Sequence, residues 1–172
     1  MNASADARQL LRHTVATLAY RATKALRDFP LAAVDARVSP HTRTPLELVS
    51  HLGDLLEWGE RLAHGDPSWR PDPAPTWEAA TARFFRGLEA LDAAVAAAAP
   101  ASRPLEQIFQ GPIADALTHV GQLALLRGVH GAAVRPESYA RAEIRVGRVG
   151  SDQTAPRAEF DGDASFPPRE KS

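Results

Sequence analysis

The chain has 172 residues, about one domain's worth and enough to bury a single sizeable core. Its 20 basic and 21 acidic residues leave a formal net charge of −1, so no broad field of either sign is there to hold nucleic acid or an anionic membrane. It contains no cysteine, which excludes disulfides, thiolate nucleophiles and sulfur-ligated zinc.

The first residues lack the apolar block of a signal peptide, and no window approaches the ~18 apolar residues of a membrane span. A cytoplasmic setting with neither nucleic acid nor membrane as partner is therefore expected. Prolines divide the chain into four helical blocks. The first is expected from about Ala5 to Phe29, where Leu11, Val15, Leu18, Ala22, Leu26 and Phe29 keep the spacing of one apolar face until Pro30 stops it. After a long loop, Thr44-Pro45 reads as an N-cap followed by proline at the first helical position.

The second helix is expected from Pro45 to about His64, with Leu48, Leu52, Leu55 and Leu62 as its stripe and Gly65-Asp66-Pro67 as its stop. His51 borders that stripe. The stretch from Asp66 to Pro75 carries four prolines and Trp69, which predicts an ordered or extended loop. Thr76 then caps a third helix whose buried side is Trp77, Ala80, Phe84, Leu88, Leu91 and Val95, ending near Ala99-Pro100. A short turn over Leu105 to Phe109 leads into a fourth helix expected to begin at Pro112 and to end near Gly128 or Gly131. Its apolar side reads as Ile113, Leu117, Val120 and Ala124.

Beyond Val134 the character changes. Pro136-Glu137-Ser138-Tyr139 is compatible with one short helix, and the glycine-, proline- and charge-rich remainder, with isolated Val149, Phe160 and Phe166, predicts an extended strap or partial disorder. The fold expected is all-α: an antiparallel four-helix bundle over 1–134 with an extended C-terminal tail over 135–172. Either of the two long loops, before and after the second helix, has room to be a crossover connection.

Asp115 and His119 are four apart, so one turn of the fourth helix stacks a carboxylate and an imidazole on one face. With His51 from the second helix they make a candidate metal triad. The same spacing also describes an ordinary surface pair worth a few tenths of a kcal/mol, about 0.3, and His51 alone reads equally as a hydrogen-bonded structural histidine. Gln122, one turn on, is placed either to line the open side of a metal or to bond a neighbouring helix. Arg127 is placed either to take an anionic substrate group or to be solvated at the helix end. Gly121 is expected to permit close helix approach. Trp58 and Trp77 read as core or interface aromatics, and His13, His41, His64 and His130 have no partner at ligand spacing.

The segment Asp115-Ala-Leu-Thr-His119-Val-Gly-Gln122-Leu-Ala-Leu-Leu-Arg127, with Leu-Val-Ser-His51-Leu in the second helix, resembles the DinB/YfiT-like superfamily over roughly residues 5–131. The run from Ser138 to Gln153 is similar to the tail of one subgroup. The resemblance implies a four-helix bundle, often a homodimer, with a divalent metal between helices; some relatives use it for thiol-dependent transfer or isomerisation with mycothiol or bacillithiol. The family's second-helix histidine falls on His51 and the second of its fourth-helix pair on His119. The first falls on Asp115, a departure that makes the set two imidazoles and one carboxylate. Asp115 then either ligates directly or orients His119 or a bound water.

Such a set leaves positions open and suits zinc, nickel, iron(II) or manganese. The function expected is a divalent-metal-dependent enzyme acting on a small-molecule substrate. It is either a transferase using a low-molecular-weight thiol or a hydrolase using metal-activated water. The alternative is a non-catalytic, stress-related metal-binding dimer. Glu47, Asp54 and Glu57 lie within two turns of His51, but only Asp54 and Glu47 are angled toward it, and the sequence does not identify a general base.

Overall fold

A computed structural model of the chain describes residues 3–97 and 104–160. Among the described residues it is all-helical, with no strand beyond an isolated bridge between Glu137 and Glu159. The helices are α1 (Ala3–Leu26), α2 (Pro45–Ala63), α3 (Trp77–Ala96), a single turn α4 (Leu105–Ile108) and α5 (Ala114–Val129). No helix among them is long and apolar enough to cross a membrane.

The starts of α2 and α3 follow the sequence. Thr44 Oγ1 accepts from the Glu47 amide at 3.1 Å while Glu47 Oε2 accepts from the Thr44 amide at 2.9 Å, a reciprocal capping box, and Pro45 occupies the first turn. Thr76 Oγ1 accepts from the Ala79 amide at 3.1 Å. α1 stops at Leu26, short of the expected Phe29. Asp28 takes a left-handed backbone with φ of 53° and turns the chain, so Phe29 is buried from the loop and meets the Trp77 ring at 4.7 Å.

The fourth block departs most from expectation. Pro112 does not open a helix; it lies inside a π-helical turn, Phe109–Ile113, that joins α4 to α5 without a break. A wide turn accommodates a residue that has no N–H to donate and whose ring crowds the preceding turn. The extra residue in that turn also rotates the helix faces. The buried side of α5 is Ala116, His119, Val120, Leu123 and Leu126, while the expected Leu117 and Ala124 are only partly buried.

The helices pack in a closed order. α3 lies against both α1 and α2, and α5 against both α1 and α2. The long segment between α1 and α2 therefore connects opposite corners, whereas the loop between α2 and α3 joins neighbours. Phe84, Leu18, Leu52, Leu56, Leu88, Leu91, Ile113 and Leu123 fill the middle and are fully buried. Three glycines set close approaches. A Cβ at Gly87 would stand 2.9 Å from Leu56 Cβ, one at Gly59 3.1 Å from Pro112, and one at Gly111 3.1 Å from the Trp58 ring. The last two lock the π turn onto α2. Gly121, expected at a close approach, faces open space.

After α5 the chain runs back along α1 as an ordered strap, with only a single 3₁₀ turn, Tyr139–Arg141, where a short helix was expected. Glu137 is buried and accepts from the Tyr20 hydroxyl at 2.7 Å and from Lys24 Nζ at 2.8 Å, and Val149 joins the core. Phe166 and the expected end of the third helix at Ala99-Pro100 lie outside the described residues. Arg127 is half-buried: its guanidinium donates to the carbonyls of Lys24, Ala25, Arg27 and Ala132 and so closes the C-terminal end of α1.

Candidate metal centre

α2 and α5 are packing neighbours, and His51 on one faces Asp115 and His119 on the other. One ligand atom from each of the three lies within 4.8 Å of the other two, so the group could hold a metal ion. Asp115 spans the pair: its Oδ1 is 3.3 Å from His119 Nε2 and its Oδ2 is 3.7 Å from His51 Nε2. The two imidazoles meet edge to face with ring centroids 4.9 Å apart.

These separations are longer than the ~2.9 Å of a good hydrogen bond. They bracket instead the ~3.4 Å edge expected between two donors that each stand about 2.1 Å from a tetrahedral ion. The donor set, two neutral nitrogens and one carboxylate, is also that of a borderline divalent ion. The residues present therefore fit such a group.

Two features hold the nitrogens ready. The Nδ1 of His119 lies 2.8 Å from Gln122 Oε1; the amide oxygen accepts, so Nδ1 carries the proton and the Nε2 lone pair faces Asp115. Gln122 thus supports His119 from behind, and it also lines the cleft on that side. Burial lowers the pKa of the His51 imidazole below its ordinary 6.5, helped by the positive charge of Arg43 and by His119, against the pull of Asp115 and Asp54. A neutral ring is the form that ligates.

The proline-rich loop forms one wall. Ser50 and Asp54 of α2 accept from the amides of Ala74 and Asp72 at 2.8 and 2.9 Å. Trp58 and Arg61 donate to the carbonyls of Pro67 and Ser68 at 3.2 and 3.1 Å. One helix edge therefore takes the backbone of the loop turn by turn. This lays the half-exposed Trp69 edge-on against His51, with centroids 5.7 Å apart, and Trp58 behind it at 5.8 Å.

No family model, curated protein or solved structure matches this chain.

None of the three acids weighed as a base is free for that work. Glu57 binds Arg83 through both oxygens at 2.7 Å, and Asp54 binds the same guanidinium at 2.8 Å. Glu47 is held by its capping box and by Arg37. The other histidines join no ligand group among the described residues.

The cluster opens to both sides. Asp115 keeps 46% of its side chain exposed, against 16% for His51 and 10% for His119. A cleft of about 570 Å³ reaches His51 beneath Trp69, and another of about 600 Å³ reaches His119 and Gln122. Arg43 lines both. Sequence reasoning missed Arg43 and the loop wall. The i, i+4 polar edge Ser50, Asp54, Trp58 beside a proline-rich loop was the available signal for the wall.

Proposed function

We propose that the chain is a DinB-like antiparallel four-helix bundle that binds one divalent metal at His51, Asp115 and His119 and uses it on a small-molecule substrate. The convergence of three donors from two separate helices carries this reading. The closed packing of α1, α3, α2 and α5 supports the bundle. A homodimer and a thiol co-substrate belong to the same reading and rest on the sequence resemblance.

When bound, the ion would bring the pKa of a coordinated thiol or water toward neutrality and so supply a nucleophile. The chain's own part is positional. His51 and His119 offer ring nitrogens, Asp115 contributes a carboxylate, Gln122 holds His119 Nδ1 from behind, and Trp69 stands edge-on against His51. Glu47, Asp54 and Glu57 are committed elsewhere, so none of them is a separate carboxylate base. That favours a nucleophile whose proton is lost on binding, as a thiol's is, over a mechanism that needs a positioned base. The non-catalytic alternative calls for an occluded site. The exposure of Asp115 and the two adjoining clefts favour substrate access.

Elemental analysis of the purified protein tests the reading. About one equivalent of divalent metal is expected in the wild type, with strong depletion in His51→Ala and Asp115→Ala. Equal content in all three would refute it.

A further inference from the structure

The cleft on the His119 side is built asymmetrically. Val38, Leu125 and Val129 line it while 54%, 68% and 57% exposed, an apolar wall left open to water. Arg43 lines the same cleft, with His41 and Thr42 beside it in sequence. It makes no hydrogen bond and no ion pair among the described residues, although Glu47 and His51 both feel its charge. Among the described residues no carboxylate lines this cleft, whereas the cleft on the His51 side contains Glu47 and Asp54 and its other arginine, Arg37, is paired with Glu47. A volume of about 600 Å³ is that of a small-molecule site.

We propose that this cleft selects an amphipathic anion, in which a carboxylate pairs with Arg43, an apolar body lies on Val38, Leu125 and Val129, and the reacting atom reaches the metal beside His119. An unpaired guanidinium presents a planar fork matched to a carboxylate. The apolar wall gains by being covered. Arg43 sets the sign of the ligand, and the wall sets its body. This assignment of substrate class rests on the metal reading.

The test uses the full chain loaded with zinc. It is titrated with mercaptohexanoate, with its uncharged analogue mercaptohexanol, and with the shorter mercaptopropionate. The wild type should bind mercaptohexanoate about tenfold more tightly than either. Arg43→Gln should erase the preference for the carboxylate while leaving zinc content and the affinity for mercaptohexanol unchanged. Leu125→Asn should erase the preference for the longer chain and spare the preference for the charge. Bound zinc without discrimination among the three probes, or discrimination that survives Arg43→Gln, overturns this inference and leaves the metal reading standing. A chain that holds no zinc overturns both.

Discussion

Gln122 is an exposed residue whose consequence is chemical rather than structural. Its amide oxygen holds the proton on His119 Nδ1, and such supporting hydrogen bonds commonly account for about 10- to 100-fold in metal affinity. Gln122→Leu should therefore weaken zinc binding by about that factor, measured by chelator competition, with thermal stability nearly unchanged. His51 carries the pH dependence. Its pKa is lowered on folding by burial first, then by Arg43 and His119, so the unfolded chain binds the proton more readily than the native one. The metal-free protein should hold this contribution in full above about pH 6.5 and lose it as pH falls from there toward the lower native pKa. Thermal melts from about pH 8 to 5 should show this loss, and His51→Gln should flatten it; a curve that stays unchanged in the variant would assign the dependence elsewhere.

At the scale of elements, two glycines with the same helical setting should respond in opposite directions. Alanine favours a helix over glycine by ~1 kcal/mol. At Gly121 a Cβ meets nothing within 4 Å, so Gly121→Ala should raise the melting temperature. At Gly87 it would meet Leu56 Cβ at 2.9 Å, close to the backbone, where no flexible side chain can yield. Gly87→Ala should force α2 and α3 apart and cost about 1–3 kcal/mol in a denaturant titration. The sequence told these positions apart poorly, because close approach is a property of the facing helix. Caps were legible, since Thr44, Pro45 and Thr76 act through bonds a few residues away. The Gly111-Pro112 pair was not: proline is equally at home in the first turn of a helix and in a π turn, and only Gly59 and Trp58 across the interface decide between them. That ambiguity hid the register of α5, where His119 proves to be part of the buried side.

On the scale of the whole molecule, the C-terminal strap belongs to the fold. Glu137 is buried at one end of α1 with Tyr20 and Lys24, and Arg12 and Asp92 join α1 to α3 through two hydrogen bonds of 2.9 and 2.8 Å. Glu137→Ala would leave the buried Tyr20 hydroxyl without its acceptor and Lys24 with Glu159 as its remaining partner, and should cost about 1–3 kcal/mol, read from chemical denaturation. Charge and proline content pointed to a strap but not to its anchors, because those pairings span more than a hundred residues of chain. The candidate triad was legible on the α5 side through its i, i+4 spacing, and His51 through its place beside the apolar stripe of α2, which the resemblance reinforced. Their meeting depends on α2 and α5 being adjacent in the helix packing. Calorimetric titration of the metal-stripped protein with zinc tests that meeting most directly. One site per chain is expected, absent in both His51→Ala and His119→Ala while helical content by circular dichroism is retained. Equal stoichiometry and affinity in the wild type and both variants would contradict it.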